Sequence, residues 1–319
     1  MDGRQGEISD SRWQWQSRTG GAIPDSVLPA FTMMQAAPCP VPVLISVPHA
    51  GRDYTAALTS RMRDAVWAKH KLEDRLVDQV GHVMAAETGA GLLVSHAPRA
   101  LIDLNRAPDD LDWEMVSHAP VRSHRGMPAS RRSRSGLGLI PRRLVGLGEI
   151  WTGRVPYSEV EQRIEHVHRP YHQALGLLLE GLRDRWGAAL LIDLHSMPPL
   201  AGRVAGEPRP DFVIGDRFGA SCDTGISRQA LDYLAREGRP AAHNRPYAGG
   251  YVLDRHAQPA RGIHCLQIEV CRSLYLDIGM TEPSARLPMI ARLLAGLVRE
   301  LASVTARLGM NNSAPLAAE

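Results

Sequence analysis

A chain of 319 residues that is 44% hydrophobic and 22% charged can bury one sizeable α/β core, and this composition excludes a disordered or fibrous protein. The formal net charge of +3 is too small to mark a nucleic-acid binder by itself, though it suits a small anionic ligand. Cys39, Cys222, Cys265 and Cys271 show no C-x-x-C spacing, which excludes a cysteine zinc site or disulfide framework and predicts reduced thiols in a cytoplasmic protein.

The N-terminal stretch is polar and has no apolar signal core, and no run approaches the roughly 20 apolar residues of a membrane span. No membrane partner is therefore expected. Residues 1–40 lack periodicity and are expected to form an arm that packs on the domain or stays partly loose; a single domain is expected over 41–308, with a short tail at 309–319. VPVLISV (41–47) reads as a buried strand, and Leu72, Leu76, Val80, Val83 and Met84 predict an amphipathic helix over 71–87. GLLVSHA (91–97) and ALIDLN (100–105) are the next expected strands.

Residues 107–157 read as irregular, with a basic run at 123–136 that suits a lid, a binding loop or a solvated surface loop. This run has no interleaved aromatics to stack bases, so no nucleic-acid partner is expected. Ser158 and Glu161 form a capping-box pattern, and the helix they open should kink at Pro170. Strands are expected at 188–196, 211–216 and 264–270, with helices near 226–237 and 284–307. Strands alternating with helices predict an α/β fold with a largely parallel sheet.

In such sheets ligands bind beyond the carboxyl ends of the strands. Four expected strands end in reactive residues: Pro48-His49-Ala50-Gly51, Asp103-Leu104-Asn105-Arg106, Asp193-Leu194-His195-Ser196, and Glu269. A lone strand-end histidine is more often structural than a ligand. Two at one edge with carboxylates nearby fit a catalytic zinc site, which takes three protein ligands and leaves one position open. His49 and His195 can supply two nitrogens. Glu73 and Asp74 both stand at the start of the first helix as candidates for the third ligand. The helical wheel sets Glu73 on the apolar side and Asp74 off it. Asp193 can orient a histidine from behind.

Segments 46–52 (SVPHAGR), 72–78 (LEDRLVD), 102–108 (IDLNRAP), 136–143 (GLGLIPRR), 168–172 (HRPYH), 190–199 (LLIDLHSMPP), 213–222 (VIGDRFGASC), 244–251 (NRPYAGGY) and 264–277 (HCLQIEVCRSLYLD) together resemble the N-formylglutamate amidohydrolase family. The family is similar in plan to zinc carboxypeptidases and aspartoacylase-like deacylases. The resemblance implies a three-layer sandwich with a mainly parallel mixed sheet and a bound Zn2+, a site that other divalent transition metals can also occupy. It implies hydrolysis of N-formyl-L-glutamate, a small anionic N-acyl amino acid, to formate and glutamate at the end of one histidine degradation route. It also favours Asp74 as third ligand, although Arg52 stands where the compact carboxypeptidase motif has its glutamate. On this plan Glu269 is general base and acid, and Asn105 and Arg106 bind the substrate carboxylate; Arg52, close to His49 in sequence, is a candidate oxyanion donor. Tyr251 and Arg245 are further substrate-binding candidates, as are Tyr247, Arg255 and Arg261, while Gly249 and Gly250 allow close approach. Rival readings are a zinc hydrolase of another N-acyl amino acid or peptide amide, and an inactive binding protein on the same scaffold.

Overall fold

The computed structural model describes residues 12–119, 134–200 and 208–313, with side chains up to 311. Eight strands form the main sheet: β1 (Trp15–Gly20), β2 (Phe31–Ala36), β3 (Val43–Val47), β4 (Gly91–Ser95), β5 (Ala189–Met197), β6 (Phe212–Gly215), β7 (Ala241–His243) and β8 (Ile263–Cys271). Their order across the sheet is β1-β2-β4-β3-β5-β8-β6-β7. The centre, β4-β3-β5-β8, is parallel, and β1, β2 and the β8-β6 pairing are antiparallel. β3, β5 and β8 are buried at every position, as strands covered on both faces must be.

Side chains alternate along a strand, so each face has its own core. Val43, Ile45, Leu190, Ile192, Leu194, Leu266 and Ile268 pack against helices α2 (Val77–Thr88), α5 (Thr224–Arg236) and α7 (Leu287–Ser313). On α7 the buried residues Leu287, Ile290, Ala291, Leu294, Leu297, Val298 and Leu301 recur at helical spacing. Each such leucine contributes about 1.5–3 kcal/mol when fully buried. The opposite face, with Leu44, Leu191 and Cys265, packs against α4 (Arg169–Trp186) and α6 (Tyr251–His256). The result is a three-layer arrangement around a mixed, mainly parallel sheet.

On that second face the strands change character along their length. Leu44 is followed by Ser46, Leu191 by Asp193 and His195, and Cys265 by Gln267 and Glu269, all at two-residue intervals. Register sets Ser46 opposite Asp193 and His195 opposite Glu269. An apolar floor thus gives way to a polar cluster at the carboxyl ends of three adjacent parallel strands.

Several expectations are corrected. The stretch expected as an arm does pack on the domain, but as two strands of its sheet, β1 and β2, and Phe31 packs edge-on against Tyr171 with ring centroids 5.7 Å apart. The helix expected over 71–87 is two: α1 (Ala65–Leu72), capped by Asp64, and α2, separated by an extended Glu73 and a left-handed Leu76 with φ 57°. Residues 100–105 form no strand; the Asp103 carboxylate accepts from the Asn105 N–H and holds a turn instead. Ser158 and Glu161 do not cap: α3 (Tyr157–Arg163) starts after Pro156, which has no side-chain acceptor. The expected kink near Pro170 is a π-helical turn over Ile164–His168, which runs into α4. The basic run at 123–136 falls almost wholly outside the described residues.

Candidate active site

The break between α1 and α2 is what delivers Asp74. Its N–H donates to the His49 carbonyl at 2.9 Å, which ties this turn to the end of β3. The Asp74 carboxylate then lies 2.9 Å from His195 Nδ1 and 3.5 Å from His49 Nδ1. The two imidazoles stand edge to face, with centroids 4.8 Å apart. All three side chains are buried, and their candidate ligand atoms lie within 4.8 Å of one another.

A second ring of carboxylates stands behind the histidines. Asp103 is 2.7 Å from His49 Nε2, and Asp193 is 2.8 Å from His195 Nε2. A carboxylate accepting the Nε2 proton leaves the Nδ1 lone pair facing inward. Both Nδ1 atoms and the Asp74 oxygen therefore converge as acceptors, and His49 Nδ1 is a buried atom with no hydrogen-bond partner. Such a set is relieved by a proton or by a cation. Two imidazole nitrogens and one carboxylate are the donor chemistry of a divalent transition-metal site with room for a further ligand. Without a cation, burial opposes the charged form of His195, but Asp193, Asp74 and Glu269 outweigh it and hold the imidazole well above its ordinary value.

The cluster opens into a cavity of about 220 Å³. Its lining includes Glu269, Gln267, Asn105, Arg106, Arg99 and Arg272, with Lys71 and Tyr247 also present. Burial pushes the Glu269 carboxyl up to about 7, His195 opposes that rise, and Asp74 adds to it. Gln267 donates to Glu269 Oε1 at 3.1 Å and orients it. Asn105 accepts the Val252 N–H at 2.9 Å and so anchors the start of α6. Arg106 Nε donates to the Leu137 carbonyl at 2.8 Å. Gly250 faces Asn105 so closely that a Cβ there would come within 2.5 Å of Oδ1.

Of the residues singled out from sequence, His49, Asp74, His195, Asn105, Arg106 and Glu269 meet in this cavity, with Tyr247, Gly249 and Gly250 in its wall. The other candidate ligands and substrate contacts do not line it. Arg52 donates through Nη1 and Nη2 to the two Asp78 carboxylate oxygens, at 3.0 and 2.7 Å. Glu73 turns away to Arg75, at 3.0 Å. Arg245 is exposed, and Tyr251 packs its ring against His168 and His172. Arg255 is likewise exposed, and Arg261 pairs with Glu180.

Sequence reasoning missed Arg99 and Arg272. Arg99 donates through Nε to Asp103 at 2.9 Å. Arg272 donates to Ser196 Oγ at 3.0 Å, to the carbonyls of His70 and Glu73, and lies 3.4 Å from Asp74 Oδ1. It clamps the turn that carries Asp74. Its position just beyond β8 was the available signal, since the strand-end rule covers Arg272 as well as Glu269. A larger open cavity of about 490 Å³ includes Arg63, Glu114, Arg142 and Glu149 in its lining. Its Arg142 is already paired with Asp112, Glu114 and Glu149, and the cavity holds no histidine cluster.

A polar, cation-rich cavity beside a His-Asp-His cluster, at the carboxyl edge of an α/β sheet, defines a hydrolase of metal-site type. Residues 41–276 match the model of the N-formylglutamate amidohydrolase family, and the chain belongs to that family. It is 29% identical over 273 residues to the N-formylglutamate deformylase of Pseudomonas aeruginosa, covering 82% of this chain and 91% of that one. It is 31% identical over 254 residues to the Pseudomonas putida protein of the same name, covering 76% and 84%. Among solved structures, the N-formylglutamate amidohydrolase from Ralstonia eutropha JMP134 superposes with a TM-score of 0.78 at 30% identity, covering 87% of this chain and 99% of that one. The Agrobacterium tumefaciens gene product Atu2144 shares the fold, with a TM-score of 0.62 at 18% identity over 86% of this chain and 95% of its own. No helix among the described residues is long and apolar enough to cross a membrane.

Proposed function

We propose that this chain hydrolyses the N-formyl amide of N-formyl-L-glutamate to formate and L-glutamate, with zinc held by His49, Asp74 and His195. The observation that carries the reading is the convergence of that cluster, Glu269 and several cationic side chains on one small cavity. Family membership supports the substrate. Bound zinc would supply Lewis acidity and lower the pKa of a water molecule toward ~7.

The remaining chemistry belongs to the protein's own residues. Glu269 faces the cavity from β8, opposite His195 in register, and takes the proton of the attacking water. It then returns that proton to the departing amide nitrogen. Arg106 binds the substrate carboxylate with its planar fork, and Asn105 adds an amide contact. Arg99, anchored on Asp103 at the cavity wall, takes the oxyanion role first expected of Arg52. A glutamyl substrate carries two carboxylates, and Lys71 at the cavity rim offers charge for the second. The four described cysteines are free and buried, in keeping with a cytoplasmic enzyme of histidine degradation.

The test is formate release from N-formyl-L-glutamate by the purified chain, with zinc and with a chelator. Zinc-dependent release that Glu269→Gln reduces at least a hundredfold is the expected result, at the lower end of general acid–base contributions. Release that survives complete metal removal sinks the zinc assignment, and absence of release under all metals sinks the substrate.

A further inference from the structure

Three buried histidines that the proposed chemistry does not use surround the backbone of the substrate-binding segment. His168 and His172 lie on the same side of the helix around the π-helical turn, and His256 ends α6. His168 Nε2 is 2.9 Å from the Arg106 carbonyl, and His172 Nε2 is 2.9 Å from the Leu104 carbonyl. His172 Nδ1 is 2.9 Å from His256 Nε2, and those two rings stack with centroids 5.2 Å apart.

The chemistry of the partners fixes the protons. A carbonyl can only accept, so His168 and His172 must each carry hydrogen on Nε2. Burial foremost, then the neighbouring His168 and His256, holds His172 well below its ordinary value, so the ring is neutral and its Nδ1 is an acceptor. His256 must then donate from Nε2. The order is His256 Nε2–H to His172 Nδ1, then His172 Nε2–H to the Leu104 carbonyl. A histidine's tautomer is set by the bond its other nitrogen makes, so His256 dictates that His172 can donate to residue 104.

The same segment is gripped from α6. The Tyr251 N–H reaches the Asn105 carbonyl at 3.4 Å, and the Val252 N–H reaches Asn105 Oδ1 at 2.9 Å. α4 and α6 thus hold residues 104–106 between them, and the His172–His256 contact joins the two helices directly.

We propose that His172, its tautomer set by His256, is a positioning residue that fixes the Leu104–Arg106 backbone and with it the pose in which Asn105 and Arg106 take substrate. This rests on the reading of Asn105 and Arg106 as substrate-binding. None of the three histidines lines the cavity, so the effect passes through the backbone.

The test uses zinc-loaded full-length protein. Nitrogen-15 NMR of the wild type should show His172 as the Nε2–H tautomer, and His256→Leu should disturb that state. In steady-state assays with N-formyl-L-glutamate, His256→Leu should raise KM about tenfold, the size of one hydrogen bond, with kcat within about twofold. His256→Gln, whose amide can donate to Nδ1, should restore KM to within about twofold of wild type. Zinc content should not change in either variant. A wild-type His172 protonated on Nδ1 overturns the proposal. So does an unchanged KM in a folded His256→Leu, or equal impairment of the Leu and Gln variants, which marks simple packing. If His256→Leu fails to fold, the wild-type tautomer and the Gln variant still decide. If the wild type does not turn over N-formyl-L-glutamate, the substrate reading has failed, and the tautomer measurement still tests the relay on its own.

Discussion

At the scale of single residues, the site is organised by carboxylates that never face the substrate. Asp193 is fully buried and accepts from His195 Nε2, so its charge fixes which nitrogen turns inward. Asp193→Asn should lower zinc affinity by about ten- to hundredfold while the chain stays folded, the usual cost of removing such a partner. Competition with a chromophoric chelator measures it, and unchanged affinity would show that His195 needs no support. Arg272 is the other organiser. Replacing it with lysine keeps the charge but loses the fork that spans Ser196, two carbonyls and Asp74. Arg272→Lys should therefore lower both zinc occupancy and thermal stability, whereas a variant with full occupancy and wild-type melting would show that the Asp74 turn holds itself.

At the scale of elements, function sits where regular structure stops. The four-residue break between α1 and α2 presents Asp74, and a turn around Asp103 presents Asn105 and Arg106. Neither break carries a proline or glycine, so the pattern reads straight through both. Gly250 shows how tightly these breaks pack. Its backbone is extended, so alanine meets no backbone strain there, but the new Cβ would sit 2.5 Å from Asn105 Oδ1. Gly250→Ala should cost about 1–3 kcal/mol by overpacking. It should also raise KM, because Asn105 must move and release the Val252 N–H. Urea denaturation and steady-state kinetics on one preparation test both effects. Lost stability with an unchanged KM would separate Asn105 from substrate binding.

At the scale of the whole molecule, the buried histidines couple folding to pH. Burial foremost, with Arg255 and His168 adding to it, pushes His256 down to about 3. Its unfolded value is about 6.5, so the unfolded chain binds the proton more readily. The sign follows: stability from a neutral, buried His256 is complete above about pH 6.5 and is lost as pH falls from there toward about 3. Between pH 7.5 and pH 5 this one group should remove up to about 2 kcal/mol. His172, also held low, steepens the loss. Asp103 is held well below the usual carboxylate range by Arg99, His49 and Arg106, which outweigh its burial, so its contribution fails only at more acid pH. Denaturation at the two pH values should show the loss in wild type and less of it in His256→Gln. An equal loss in both would assign the acid sensitivity elsewhere.

The alternation of strands and helices, the buried central strands and the reactive residues at their carboxyl ends were all legible in the chain's local pattern. Apolar runs and strand-end polar residues are local patterns, and a parallel sheet brings such ends to one edge. The family was legible for the same reason, since its motifs are short and local. That Asp74 rather than Glu73 joins the histidines emerges only in three dimensions, because it depends on a helix break and on Arg272 reaching it from just beyond β8, about 200 positions along the chain. Arg52 carried the right charge near the right motif, but Asp78 on α2 holds its guanidinium. β1 was illegible because an edge strand exposed to solvent needs no apolar run, and β2, paired on both sides but only half-buried in its middle, mixes Thr32 and Gln35 with its apolar residues. The His172–His256 contact joins residues 84 apart, a proximity that follows from α4 and α6 covering the same face of the sheet.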